Sequence, residues 1–427
     1  MPLEKYPNLH LLNDRIPLES NLIPKWVKEE ITVQGLLTTQ KDRVSFCGII
    51  ANRSDGFVFL PRSMEAVSEN KKHEIAGLLA SAILKYEKQN KVSLKASDID
   101  EGMLGCEQLS IIHELLDDFR ANGAYGAHNR VRTVNTGKTD WKRTISRVTP
   151  FPSSNGVPIY PVLLGSCSRI NQNTIIAEIH TSVIAKLIST FGWWFYKDPL
   201  KNMMEVTENI DLINRTDFCI SLLRKELVSI YSDRNIRLIK NLIKYLAFSS
   251  KNSDSRVVIG LRDFHWAWEH MLSAVLNRKI DLSKSFPYPV YHTTKGDRLP
   301  APRKSMRTDI ILENAESNKV VVVDAKYYDA TTINSSPSWP DLIKQFFYAK
   351  AIQLIRKDSQ IENVFIFPGD SDYMHSVSVE SKSTEIDYDN LFPRVWCFYV
   401  KPSDVMNNYV SKDIMTDLSD LLFAQKT

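Results

Sequence analysis

Two short apolar runs carry the residue types best suited to phosphoester chemistry. Arg307 to Leu312 (RTDIIL) and Lys319 to Lys326 (KVVVVDAK) flank the polar turn Glu313 to Asn318 and read as the two strands of a hairpin. Side chains alternate faces along a strand, so Asp324 and Lys326 share one face with Ala325 opposite. If Asp309 lies at the same end of the neighbouring strand, two carboxylates and an ammonium converge at one sheet edge. Hard divalent cations such as Mg2+ take carboxylate oxygens. A metal so held polarises a phosphate and makes hydroxide from bound water near neutral pH. The pattern acid-x-Lys occurs elsewhere in the chain, but only here does it follow four consecutive valines with a second acid on an adjacent expected strand.

Two helices must flank that hairpin to complete a site. On Asp341 to Arg356 (DLIKQFFYAKAIQLIR), Gln345 and Tyr348 are three residues apart and share a face. On Phe264 to Leu276 (FHWAWEHMLSAVL), Glu269 lies among aromatic and apolar neighbours, where a carboxylate is costly without a partner or a metal.

A helix with Glu, a strand with Asp, a strand with D-x-K and a helix with Q-x-x-Y resemble the PD-(D/E)xK nuclease core. The pair RTDIIL and VVVVDAKYY is similar to McrC, the nuclease subunit of McrBC restriction systems. Gly137 to Ile145 (GKTDWKRTI) resembles the G-x-x-x-W-x-x-T-I segment of LlaJI-type restriction endonucleases, which are McrC-like. Thr308 stands where the family's name has Pro, a position that is no metal ligand. The resemblance, carried by motifs between about 137 and 350, implies a Mg2+-dependent endodeoxyribonuclease acting on double-stranded DNA, with Mn2+ as a substitute metal. It makes Asp309 and Asp324 metal ligands, Glu269 an outer carboxylate, and Lys326 the residue that orients the attacking water or steadies phosphorane charge. Gln345 and Tyr348 would support the site or touch DNA. It further implies a separate McrB-like AAA+ GTPase hexamer as partner, stimulated by this subunit. The alternative is a non-catalytic adaptor that keeps the nuclease fold to bind DNA and activate the motor.

Composition agrees with a globular protein. At 427 residues, and about 150 per domain, two or three domains are expected; 43% hydrophobic and 24% charged residues exclude collagenous and low-complexity classes. Five cysteines without a C-x-x-C pair disfavour disulfides and structural zinc. The N-terminus has no basic segment leading into an apolar one, and no apolar run approaches the roughly 18 residues that span a bilayer, so a cytoplasmic protein with no membrane partner is expected.

The net charge of +4 is slight, but seven Lys or Arg stand against one acid, Asp140, between 121 and 170: Arg130, Arg132, Lys138, Lys142, Arg143, Arg147 and Arg169. Interleaved with Tyr125 and Trp141, they suit phosphate contact and base stacking, while the family resemblance favours docking on the motor; a solvated surface is the third reading. Gly137, Lys138 and Thr139 imitate the end of a P-loop, but Arg132 replaces its leading glycine, so this chain is expected to bind no nucleotide. His113 to Asp117 (HELLD) lacks the second His of a zinc-protease helix.

Periodicity gives an α/β and α+β multidomain chain. A hairpin is expected over 44–62, helices over 72–89 and 107–120, then extended or looped structure over 123–161. Helices follow over 171–196, with the aromatic cluster Phe191, Trp193, Trp194, Phe195 and Tyr196 at its end, then over 208–230 and 234–249. The polar KNSDSR stretch ending at Arg256 suggests a boundary. Beyond it come a helix (262–277), strands (288–293, 307–312, 319–325), a helix (341–356), strands (363–368, 394–400) and a C-terminal helix. The expected domains are thus 1–250, a mixed β/α partner-binding region, and 251–427, the nuclease domain.

Overall fold

The structure is a computed structural model that describes residues 8–52, 55–64, 71–93, 103–136, 138–153, 155–171, 174–195, 209–251, 256–302, 305–370, 373–382 and 388–424. In chain order its elements are β1 (Asn8–Asn13), α1 (Lys25–Val33), β2 (Phe46–Ala51), β3 (Asp55–Leu60), α2 (Lys72–Ser93), β4 (Met103–Leu104), α3 (Cys106–Asn122), β5 (Ala127–Val134), β6 (Lys138–Thr139), α4 (Trp141–Arg147), β7 (Phe151–Pro152), β8 (Pro158–Ile159), β9 (Leu164–Asn171) and α5 (Ile175–Phe195). There follow α6 (Ile210–Asn214), α7 (Thr216–Ser229), α8 (Asp233–Lys251), β10 (Val257–Arg262), α9 (His265–Val275), β11 (Val290–His292), β12 (Arg298–Pro300), β13 (Ile310–Asn314), β14 (Lys319–Ala325), α10 (Trp339–Ile355), β15 (Gln360–Pro368), β16 (Ser376–Val377), β17 (Val395–Val400), α11 (Pro402–Ser411) and α12 (Thr416–Phe423). This is a mixed α/β fold with several sheets.

The chain divides into two compact units. One joins Met1–Leu109 to Arg256–Thr427, and the other is made chiefly of Ser110–Trp193 and Asp198–Ser255. One edge between the units falls between Ser255 and Arg256, and the first 109 residues group with the C-terminal part rather than with an N-terminal half. The reason is β10, an apolar strand just past the edge, which inserts between β2 and β4 in a sheet of order β1-β3-β2-β10-β4. Gly48 pairs with Gly260 across β2 and β10. A Cβ on Gly48 would sit 2.2 Å from the Ile259 carbonyl, and one on Gly260 2.4 Å from that of Cys47, so only glycine permits this approach. Leu12, Val27, Ile31, Phe46, Ile50, Phe57 and Phe59 form the core of this sheet.

The second sheet of this unit has the order β13-β14-β15-β17-β16. β13 and β14 form an antiparallel hairpin; β14, β15 and β17 run parallel; β16 returns antiparallel. Parallel neighbours need a crossover, and α10 supplies the one between β14 and β15. Its start is fixed by the Ser338–Asp341 capping box, with Pro340 in the first turn. Val320 and Val322 of β14 pack under Tyr348, Ala351 and Ile352 of α10, while Phe365 and Phe367 of β15 meet Leu342. α9 and α12 also pack on β14. Tyr327, next after Lys326, ties the two sheets together. Its hydroxyl accepts the Arg62 N–H at 3.0 Å and lies 3.4 Å from Cys47 Sγ.

In the other unit, part-buried polar contacts join α8 to α3 and tie α7 to Tyr125, just beyond α3. Arg234 makes two 2.7 Å bonds to Asp118, and the Tyr125 hydroxyl donates to Glu226 at 2.6 Å. Over 123–161, where extended or looped structure is expected, the chain forms β5 and β6, which pair with β9 in the sheet β5-β9-β6, the β7/β8 hairpin and, unexpectedly, the short helix α4. Asp140 explains α4, since its carboxylate accepts the Arg143 N–H as an N-cap. The helix expected over 208–230 is broken into α6 and α7 near Arg215. One 18-residue window, Ile175–Gly192 in α5, is apolar enough to cross a membrane by length and composition, contrary to the expectation from sequence, and 61% of it is buried. Phe191 of the aromatic cluster is buried. The side chains of Trp193, Trp194 and Phe195, and all of Tyr196, lie outside the described residues, as do Gly137 and 252–255 of the polar stretch.

Candidate active site

The hairpin register decides where the acids meet. Ile310 pairs with Val323, so one further step brings Asp309 opposite Asp324, on the same face. Asp309 Oδ2 accepts the N–H of Ala325 at 2.9 Å, closing the end of the hairpin. Asp324 is 3% exposed. Lys326 Nζ lies 2.6 Å from Asp324 Oδ2, a buried ion pair.

α10 supplies two groups that were not singled out in the sequence. Asp341 Oδ1 accepts from Lys326 Nζ at 2.5 Å, while Oδ2 accepts from the backbone and hydroxyl of Ser338. Lys344 Nζ is 3.7 Å from Asp324 Oδ1. A signal existed, because 341, 344, 345 and 348 follow helical spacing and form one stripe with Gln345 and Tyr348. Both expected residues of that stripe are buried. The Gln345 amide donates to the Val364 carbonyl at 3.4 Å with its own oxygen unmatched, and the Tyr348 hydroxyl donates to the Arg307 carbonyl. They steady β15 and the approach to Asp309.

The electrostatics follow from this crowding. Burial and the neighbouring Asp324 push the Asp309 carboxyl well above the ordinary carboxylate range. Burial, then Asp309 and Asp324, raise Glu269 on α9 to about 7, against the pull of Lys344 and Arg307. Burial disfavours the Lys326 ammonium, but Asp324 and Asp341 outweigh it and hold the proton. Burial also pushes Asp341 up, yet the bonds from Lys326 and Ser338 prevail and keep it below its usual value.

Crowded carboxylates in a buried place, with Asp309 and Glu269 both raised by burial and by their acidic neighbours, are the environment a divalent cation relieves. Asp309 and Asp324 fit that role in donor type and arrangement. Glu269 is near enough to be raised by both. Among the described residues no group of three or more His, Cys, Asp or Glu side chains closes on a common point, which leaves Glu269 outside the aspartate pair. A cleft of about 350 Å3, lined in part by Lys279, Arg307 and Asp309, opens beside the pair.

The basic segment is separate from these residues in sequence and lies in the other unit. Lys138, Lys142 and Arg147 are exposed and Arg143 is half-buried. Trp141 is 55% exposed and meets Tyr160 edge-on at 6.3 Å. The side chains of Arg130, Arg132 and Arg169 lie outside the described residues.

A mixed sheet bearing an Asp pair and a lysine at one edge is an arrangement for metal-assisted hydrolysis, and comparison with known proteins gives the class. The profile of the LlaJI restriction endonuclease family matches residues 46–395, most of the chain. The chain therefore belongs to the LlaJI restriction endonuclease family. It is 25% identical over 389 residues to the type II restriction enzyme BsuMI component YdjA of Bacillus subtilis (strain 168), covering 87% of this chain and 82% of that one. A solved half-complex from a tetradecameric assembly of Thermococcus gammatolerans McrB AAA+ hexamers with bound McrC aligns over 96% of this chain and 100% of that one. Identity there is 10% and the TM-score 0.38, too low to fix the fold.

Proposed function

We propose that this chain is the Mg2+-dependent nuclease subunit of a McrBC-like, GTP-driven restriction system and that it cleaves double-stranded DNA. The observation that carries the reading is Asp309 opposite Asp324 across the β13/β14 hairpin, with Lys326 2.6 Å from the latter. Asp309 and Asp324 would hold Mg2+, or Mn2+ in its place, with Glu269 beside them. The ion would supply Lewis acidity at the scissile phosphate and a water of lowered pKa. Lys326, kept charged by Asp324 and Asp341, offers its ammonium protons to the attacking water or to the charge that develops on phosphorus. Gln345 and Tyr348 hold the backbone around the pair, and α10 orients Lys326 through Asp341. The nuclease domain is assigned to 251–427, completed within its unit by the N-terminal sheet.

The partner in this reading is a separate McrB-like AAA+ GTPase hexamer. Support comes from the GKTDWKRTI segment, in which Lys138, Trp141 and Lys142 stand exposed. We place docking on the motor at this segment. The adaptor alternative, DNA binding and motor activation without cleavage, is disfavoured by intact Asp309, Asp324 and Lys326. The test is reconstitution of the full chain with its motor, DNA, GTP and Mg2+: cleavage that chelation abolishes supports the reading, and motor activation without cleavage under these conditions favours the adaptor.

A further inference from the structure

Apart from the carboxylate pair, the same unit contains a second polar cleft where β1 and β3 end. It encloses about 770 Å3, with Leu12, Ile16, Leu60 and Met64 as apolar walls and Arg15 and Arg62 as charged ones. Asp14, 5% exposed, faces both guanidiniums. Its Oδ2 is 3.5 Å from Arg15 Nε and 3.9 Å from Arg62 Nε, while Oδ1 accepts the Phe46 N–H at 3.1 Å. Both ion-pair distances exceed the hydrogen-bond range, and both Nε–H groups are buried and unmatched. Asp329 also lines the cleft and pulls on Arg62, and Arg43 adds a third guanidinium, so three cations face two carboxylates and leave a positive surplus of one. Burial holds Arg62 below its usual range and Arg15 adds to that, against the pull of Asp14.

The backbone here is also unusual. Arg15 and Ser63, both lining the cleft, adopt left-handed φ values of 70° and 57°. Such conformations are costly without glycine, persist only where the surroundings enforce them, and gather at ligand clamps. Arg62 is further placed by the Tyr327 ring, 5.8 Å beneath its guanidinium.

We propose that this cleft binds a phosphate group, gripped by Arg15 and Arg62, whose source is the backbone of a nucleic-acid strand. Guanidinium forks match pairs of phosphate oxygens, and an incoming anion would neutralise the surplus that Asp14 and Asp329 leave. The apolar walls suit the sugar that a backbone phosphate carries. The phosphate chemistry stands on this geometry alone; the nucleic-acid source rests on the proposed nuclease reading.

The test uses the full chain in EDTA, so that cleavage is read in no arm and the nuclease reading stands or falls separately. The probes are inorganic phosphate, adenosine monophosphate, and a fluorescein-labelled 12-base-pair duplex without terminal phosphates. Arg62→Gln and Arg15→Gln should each weaken phosphate and duplex binding by about tenfold or more. Asp14→Asn keeps the side chain's shape while removing the competing charge, and should tighten both several-fold, a reversal that damage to the fold would not produce. Equal phosphate affinity in wild type, Arg62→Gln and Asp14→Asn would overturn the site. An effect on adenosine monophosphate with none on the duplex would overturn the backbone as its source.

Discussion

Lys326 is held from two sides, by Asp324 and by Asp341, and Asp341 uses its other oxygen to cap α10. The lysine's position is thereby linked to the start of the helix. In the reconstituted complex, Lys326→Ala should lower the cleavage rate by about a hundredfold or more, as loss of a charge-stabilising donor does. Asp341→Ala should lower it by about tenfold, because the ammonium keeps one of two anchors, and should cost about 1 kcal/mol in a denaturant titration as a lost cap. Cleavage at the wild-type rate would leave Asp341 a cap alone. Protonation gives a second handle. Glu269 sits at about 7 and Asp309 is also raised, so in the metal-free fold both exceed their unfolded values of about 4. The native state then holds more protons between these limits. The stability from these groups is full below about pH 4 and is lost as pH rises to about 7. Glu269→Gln should flatten this fall in EDTA, and Mg2+ should offset it by binding the folded state. Thermal unfolding across pH 5 to 8 measures both; if substitution leaves the pH dependence unchanged, the assignment to Glu269 is wrong.

The elements differ in how far they were readable. The β13/β14 hairpin was legible as two paired strands, but not its register: β13 runs on to Asn314, opposite Lys319, so the turn is shorter than the polar run 313–318 suggests, and this is what sets Asp309 opposite Asp324. The pairing of β10 was not legible, since its partner β2 lies some 200 residues earlier and nothing local in VVIGLR names it. Within the stretch read as extended or looped, α4 was hidden by composition: Thr, Asn and Gly suggest loops, and only the Asp140 cap marks a helix. Asp341 and Lys344 escaped because charged residues at a helix start are ordinary in caps, so the stripe they form with Gln345 and Tyr348 was not extended to them. α4 carries its own prediction. Lys142 and Arg147 are exposed, whereas Arg143 is half-buried with its Nε enclosed, so the first two are the residues to reverse. Lys142→Glu with Arg147→Glu should suppress stimulation of the motor's GTP hydrolysis without DNA, because the complementarity lost lies between proteins. Normal stimulation, with weaker DNA binding and a shallower salt dependence, would instead assign the segment to phosphate contact.

At the scale of the whole molecule, sequence order and spatial order disagree. The strand just past the 255/256 edge returns to the N-terminal sheet, so the unit bearing the Asp pair is assembled from both ends of the chain. A truncation beginning at residue 251 would expose β10 without β2 and leave Tyr327 without Cys47 and Arg62. The activity is therefore to be tested in the complete chain. The central claim is that Asp309 and Asp324 form a metal site for DNA cleavage, and Asp324→Asn probes it by removing one charge with little change of shape. The decisive measurement is Mg2+-dependent cleavage of duplex DNA by the reconstituted complex carrying this substitution, with motor stimulation recorded on the same sample. Cleavage abolished while stimulation persists is the predicted result; undiminished cleavage would contradict it.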